Sequence, residues 1–163
     1  MNIHIRWLIR RDMESVLAIE ADSFEFPWPE EEFIKRLRQR NCIGMVAEWD
    51  EEIAGYFLYE MHRTHYTLIN FAVHPDMQMV GVGRRMMEKM QDKLSNERRS
   101  RMTMVLREKN LDGHLFLRAM GFRAVDVLRD WWDGCDEDAY VFEYRHGGRV
   151  SWTNRIATFY QES

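Results

Sequence analysis

An α/β domain with a mixed sheet and helices on both faces is the fold class that the sequence predicts. Three observations carry that prediction. Runs in which apolar residues alternate with period two interleave along the chain with runs at helical spacing. With 163 residues, 45% of them hydrophobic, and twelve Met, nine Phe and six Trp, the chain has enough apolar material for one domain with a real core. Finally, a glycine-bearing segment, Gln78–Arg85, joins a strand-like run to a helix-like one.

The elements follow in order. Ile3, Ile5, Trp7 and Ile9 alternate with other residues, so 2–10 reads as a half-buried strand. Asp12 is placed to cap a helix whose stripe is Met13, Val16, Leu17 and Ala18. Pro27 and Pro29 stop it. Glu30, Glu31 and Glu32 then open a second helix running to about Arg40. Acidic residues sit in its first turn and Lys35, Arg36, Arg38 and Arg40 towards its end, in keeping with the helix dipole. A hairpin follows, Ile43–Trp49 and Ile53–Met61 around Asp50-Glu51-Glu52, and then a strand Tyr66–Val73. Met86, Met87, Met90 and Leu94 mark a long helix reaching about Asn96. Met102–Leu106 is a short strand, and Asn110–Met120 a helix closed by Gly121. Phe122–Leu128 and Ala139–Tyr144 are the last strands. The order is β-α-α-β-β-β-α-β-α-β-β.

Composition narrows the function classes. A net charge of -4 exerts no general pull on nucleic acid, so no nucleic-acid partner is expected. Arg98, Arg99 and Arg101 read as a solvated helix end. Cys42 and Cys135 fall in no metal-ligand spacing and read as reduced thiols, and no metal is expected. No run approaches a membrane span, and the N-terminal residues lack the pattern of a signal peptide. A cytoplasmic location with no membrane partner is the expectation.

The segment Gln78-Met79-Val80-Gly81-Val82-Gly83-Arg84-Arg85 is the most informative. A pyrophosphate needs several converging backbone N–H groups, and a helix start offers them with a favourable dipole. Gly81 and Gly83 remove side chains that would hold an anion off the backbone. Arg84 and Arg85 stand at the wrong end of the helix for its dipole unless an anion sits there. The segment is neither a Walker loop nor a complete G-x-G-x-x-G fingerprint. Spacing alone leaves a plain helix start with two incidental glycines as the alternative.

Gln78-x-x-Gly81-x-Gly83 after a strand and His74-Pro75 resembles the Q/R-x-x-G-x-G/A signature of the GNAT superfamily of N-acetyltransferases. Residues 110–122 resemble that superfamily's N-x-x-A…Y-x-x-x-G-F segment, and the element order matches its fold. Ile19-Glu20, Ser23-Phe24 and Phe26-Pro27-Trp28, with Arg129-Asp130-Trp131-Trp132 and Asp138-Ala139, resemble the branch of bacterial ribosomal-protein alanine N-acetyltransferases.

The resemblance implies a GNAT fold, mostly antiparallel with a splayed central strand, and acetyl-CoA as co-substrate. It implies an acetyltransferase domain over 1–146 and an extension of unassigned role over 147–163. Backbone groups of Phe71, Ala72 and Val73 would meet the pantetheine arm; the alternative for those side chains is core packing. Met79, Val80, Gly81, Val82, Gly83 and Arg84 would hold the pyrophosphate, and Asn110 would contact the arm from the other side. Phe26, Pro27, Trp28 and Trp131 would line an acceptor groove, unless they serve core or subunit packing.

The branch's glutamate base and tyrosine acid fall at Val105 and Leu117, neither of which moves a proton. Tyr66, where some relatives that acetylate protein N-termini carry a catalytic tyrosine, is the candidate catalytic residue, with an ordinary strand aromatic as its alternative. Glu108, His114 and Glu25 are further polar candidates, each with a surface role as the alternative. Three acceptor readings stay open: a protein N-terminal amine, a small amine, or acyl-CoA binding without catalysis. Val150, Trp152 and Ile156 are candidates for covering a sheet edge or pairing two copies of the chain, so a homodimer is one expectation.

Overall fold

The computed structural model describes residues 2–78 and 80–147. Among them run β1 (His4–Trp7), α1 (Met13–Ser23), α2 (Glu30–Leu37), β2 (Cys42–Trp49), β3 (Glu52–Met61), β4 (His65–Val73), α3 (Val82–Gln91), β5 (Arg101–Arg107), α4 (Leu111–Ala119), β6 (Arg123–Leu128) and β7 (Ala139–Arg145). This is the element order expected from the sequence. The chain forms two compact units, one taking in residues up to His62 with Thr67–Lys93, the other Arg63–Tyr66 with the chain from Leu94 on.

In the first unit the strands lie in the order β1-β2-β3-β4. β2 and β3 form an antiparallel hairpin from Cys42↔Glu60 to Trp49↔Glu52, and β1 adds antiparallel to β2. The hairpin turn puts Asp50 and Glu51 at positive φ, 51° and 65°, conformations that cost a non-glycine residue some stability. On one face of this sheet Val16 and Ile19 of α1 and Phe33 of α2 pack with Val46, Tyr56 and Leu58. Residues alternate across a strand, so Gly55 and Phe57 point to the other face, where α3 lies. A Cβ on Gly55 would stand 2.8 Å from the Met86 sulfur and 2.9 Å from the Ala72 carbonyl oxygen. Gly55 therefore lets helix and strand close on each other, and Met86, Met87 and Met90 are fully buried there.

The second unit holds the three-stranded antiparallel order β5-β7-β6, with Val105 opposite Val141 and Leu128 opposite Ala139. α4 packs its His114 ring edge-on against Tyr140 and Phe142, centroids 5.2 and 5.1 Å away. Gly121 ends α4 at φ 92°, with Phe122 N–H donating to the Leu117 carbonyl and Gly121 N–H to that of Arg118. This is the two-bond closure expected of a glycine C-cap.

Several boundaries differ from the sequence reading. The first strand ends at Trp7 because the chain turns into a short 3-10 segment, Arg10–Asp12, and the alternation loses phase. Leu8 then packs on the core, while Trp7, which the alternation places inward, is 72% exposed. Asp12 does not cap α1. It is itself in the right-handed helical region (φ -80°, ψ -15°), where a side chain does not reach back to the helix amides. Instead its buried carboxylate accepts from Ile9 N–H at 2.9 Å and takes both arms of Arg6, at 2.8 and 2.9 Å. α2 stops at Leu37 and not near Arg40, with Gln39 N–H turning back to the Arg36 carbonyl. α3 stops at Gln91 and not near Asn96. Residues 148–163, including Val150, Trp152 and Ile156, lie outside the described residues.

The Arg6 hydrogen bonds, opposed by burial and assisted by the Ile9 amide, hold the Asp12 carboxyl below its ordinary value. A depressed folded-state pKa contributes stability that is present above the unfolded value and lost as pH falls through the folded one. Asp12→Asn is therefore expected to lower stability by about 1–3 kcal/mol at pH 7. It should also flatten the loss of stability below about pH 4, the ordinary carboxylate range. Urea denaturation at pH 7 and pH 3 measures both; an unchanged acid limb would show that this pair carries no such linkage.

Candidate active site

The start of α3 leaves its first amides without a side-chain cap. Gly81, at φ 96°, turns the chain into the helix, and a Cβ there would meet no atom within 4 Å but would strain the backbone. No side chain caps this helix start, and its first hydrogen bond runs from Arg85 N–H to the Gly81 carbonyl. The amides of Val82, Gly83 and Arg84 precede that bond and stand at the positive end of the dipole. No acidic residue lies in the first turn, and Arg84 and Arg85 are exposed beside it. Val82 is fully buried and anchors the turn from beneath, whereas Val80 is exposed. Gln78 donates its side-chain amide to the Val73 carbonyl at 3.3 Å, tying this loop to the end of β4. Met79 lies outside the described residues.

On β4 the even-numbered positions from Tyr66 to Ala72 are buried, and Phe71 and Val73 are half-buried. Phe71 N–H donates to the side-chain oxygen of Asn70 at 2.9 Å. Asn70 donates in turn to Oε2 of Glu20 on α1 at 2.9 Å, and the Tyr56 hydroxyl donates to the same oxygen. Burial first, then the negative charge of Glu20, pushes the Tyr56 phenol far above its ordinary range, so it keeps its proton. Oε1 of Glu20 accepts from Trp28 N–H at 3.0 Å. The loop Phe26-Pro27-Trp28 is therefore fastened through Glu20 to β3 and β4. Its Phe26 is 55% exposed. The Trp28 ring is instead committed to packing, edge-on to Phe33 at 5.2 Å and under the Arg36 guanidinium at 5.4 Å.

The first unit thus brings together 26–28, 71–73, Gln78 and 80–84. Tyr66, Asn110 and Trp131 belong to the second. Asn110 is the N-cap of α4, its side-chain oxygen accepting from Gly113 N–H at 3.0 Å. Tyr66 is buried, with the Arg99 guanidinium 5.3 Å from its ring centre. Trp131 is 55% exposed, and Trp132 carries Arg107 at 4.0 Å over its ring. Leu117 is buried in the core, and Val105 pairs with Val141 in the sheet. His114 donates from Nε2 to the Arg107 carbonyl at 2.9 Å, and Glu108 accepts from Asp138 N–H at 3.4 Å. Both are thereby structural ties between the end of β5 and its neighbours. Glu25 is exposed. The Cys42 thiol is buried and pushed up to about 11, too high for a nucleophile at neutral pH.

Sequence reasoning singled out Glu20 as part of a short motif, but it missed Asn70 and Tyr56. The available signal was a carboxylate at a core-facing position of α1, four residues after Val16 and next to Ile19, which a buried face accepts only with partners.

The mixed α/β frame thus carries an uncapped, basic helix start that follows β4 through a short 3-10 segment and a glycine turn. Residues 13–122 match the Acetyltransferase (GNAT) family, and the chain belongs to that family. It is an N-acetyltransferase with acetyl-CoA as co-substrate. A similar protein is the [ribosomal protein bS18]-alanine N-acetyltransferase of Escherichia coli (strain K12), 25% identical over 132 residues that cover 80% of this chain and 88% of that one. Its fold is like that of the ribosomal-protein-S18-alanine N-acetyltransferase from Escherichia coli, with a TM-score of 0.78 at 22% identity over 93% of this chain and 100% of that chain. It is also like that of Ard1 from Thermoplasma volcanium, with a TM-score of 0.80 at 19% identity over 90% of this chain and 99% of that one. Among the described residues no helix is long and apolar enough to cross a membrane, and no group of three or more His, Cys, Asp or Glu is placed to hold a metal ion.

Proposed function

We propose that this acetyltransferase modifies the α-amine of protein N-termini, in the manner of the ribosomal-protein alanine enzymes. One observation carries the reading. The loop Phe26-Pro27-Trp28 presents an exposed aromatic on a backbone fastened to the strand that bears Phe71–Val73. Aromatic anchors on a fixed loop suit an extended peptide better than a small hydrated amine. The likeness to the bS18-alanine enzyme over most of both chains supports the same acceptor class.

In this reading the amides of Val82, Gly83 and Arg84 bind the pyrophosphate, with Arg84 adding charge. Backbone groups of Phe71, Ala72 and Val73 orient the pantetheine arm. The deprotonated amine adds to the thioester carbonyl carbon, the C–N bond forms, and the C–S bond breaks to release coenzyme A as its thiolate. The proton lost by the ammonium goes to water, since Val105 and Leu117 can neither accept nor give one. Positioning then supplies most of the acceleration.

The test is a panel of acceptors with N-terminal Ala, Ser and Met peptides beside a polyamine and an aminoglycoside, followed by release of free thiol. Peptide turnover with kcat/KM rising with pH towards the α-amine value of about 7.7–8.0 is expected. Turnover of the small amines alone would reverse the acceptor assignment. Saturable acetyl-CoA binding with no turnover on any acceptor would argue for a non-catalytic carrier-binding role.

A further inference from the structure

The buried cluster of Glu20, Tyr56 and Asn70 has no part in the chemistry above, yet its geometry is specific. Glu20 is 2% exposed, Asn70 6% and Tyr56 0%, so none of the three meets a substrate directly. Burying a carboxylate in an apolar core is costly unless its lone pairs are used, and here both oxygens are. One oxygen accepts from Trp28 N–H in the proposed acceptor loop. The other accepts from Tyr56 and from Asn70. Asn70 then spends its own oxygen on Phe71 N–H, on the strand proposed to hold the donor. A core helix needs no such group, and an apolar residue at position 20 would occupy this buried position without the cost of desolvating a charge. What the carboxylate adds is a continuous line of hydrogen bonds from one substrate's loop backbone to the other substrate's strand backbone.

We infer that Glu20 is a positioning residue that sets the acceptor loop in register with the donor strand, acting through Trp28 N–H at one end and through Asn70 to Phe71 N–H at the other. This rests on the assignment of 26–28 to the acceptor and 71–73 to acetyl-CoA. The Tyr56 hydroxyl, held protonated, fixes the Glu20 rotamer so that its two oxygens face different elements. A side-chain amide at position 20 replaces one acceptor with a donor and must turn that donor towards either Trp28 N–H or the Tyr56–Asn70 pair, so one branch of the line breaks.

The experiment compares wild type, Glu20→Gln, Asn70→Ala and the double variant. Calorimetry gives the acetyl-CoA Kd, and thiol release gives kcat and KM on whichever amine the wild type acetylates. Glu20→Gln is expected to raise the acceptor KM about tenfold, the size of one lost charge-assisted hydrogen bond, with the acetyl-CoA Kd changed by less than about twofold. Asn70→Ala is expected to weaken acetyl-CoA and lower kcat. On acceptor kcat/KM, which both single variants lower, the double variant is expected to be no worse than the worse single one, because both break the same line. Independent, multiplying effects would overturn the inference. So would a plain structural result, in which Tm and the active fraction fall while KM and Kd stay at wild-type values. If Glu20→Gln does not fold, Tyr56→Phe keeps the ring and removes only the hydroxyl, and the same rise in KM without a change in Kd decides the matter. A wild type that turns over small amines but no peptide overturns the N-terminal reading and leaves the network to be judged by the KM of that amine. A wild type that acetylates nothing overturns both.

Discussion

Replacing Gly83 by tryptophan is expected to abolish saturable acetyl-CoA binding, weakening it by at least about a hundredfold, a coupling comparable to losing several backbone hydrogen bonds to an anion. The reasoning is geometric. Gly83 is the second residue of α3, its amide lies between those of Val82 and Arg84, and no side chain caps the helix. An indole at that position would cover the space that the proposed pyrophosphate site needs. The fold should survive, because Gly83 is inside a helix and is not among the glycines at positive φ, so an L side chain fits the backbone. Helix propensity even favours the exchange by a few tenths of a kcal/mol. Calorimetric titration with acetyl-CoA beside a thermal melt separates the two effects. Wild-type affinity in the variant would remove the α3 start from the donor site.

Phe33→Ala should produce the largest loss of stability of any change discussed here, about 3–5 kcal/mol. Phe33 is fully buried where α2 meets the sheet, with its ring edge-on to Trp28 at 5.2 Å and to Tyr56 at 5.9 Å. Truncation leaves a cavity bounded by two aromatic rings on different elements, and neither can move in to fill it without giving up other contacts. At about 2–4 °C per kcal/mol for a chain of this length, the melting temperature should fall by roughly 6–20 °C. Because Trp28 loses its neighbour, the 26–28 loop should loosen as well, and, with that loop proposed to meet the acceptor, KM for the acceptor should rise in whatever fraction remains folded. A loss below about 1 kcal/mol in urea denaturation would show that α2 is held to the sheet by something else.

Much of the fold is legible in the sequence because its signals are local. The hairpin of β2 and β3, the methionine stripe of α3 and the glycine closure of α4 each rest on periodicity or on a backbone demand that a few neighbouring residues express. The misplacements have a common cause. Trp7 is exposed and Leu8 packs on the core because β1 ends at Trp7, three residues short of the 2–10 run, and the chain then leads into the 3-10 turn at Arg10–Asp12. Asp12 has a capping residue's identity but the wrong backbone angles for the role, and Arg6 claims it from another element. Which partner wins such a residue depends on distance in space, which propensity does not carry.

The candidate site divides along the same line. Gly81, Gly83, Arg84 and Arg85 make a candidate anion-binding helix start legible in the sequence, since such a site needs only consecutive residues at a helix N-terminus. That the helix start is uncapped, with Gly81 in the left-handed region, is the structural counterpart of that signal. Acetyl-CoA use and the GNAT family are implied by the resemblance of this local signature and element order to that family, and the family match over residues 13–122 shows them. The company kept by Glu20 was decided by tertiary structure alone. Its partners Trp28, Tyr56 and Asn70 come from a loop and two strands, 8, 36 and 50 residues away along the chain. A buried carboxylate is stable only where donors converge on it, and that convergence exists only once α1 has been laid across the sheet.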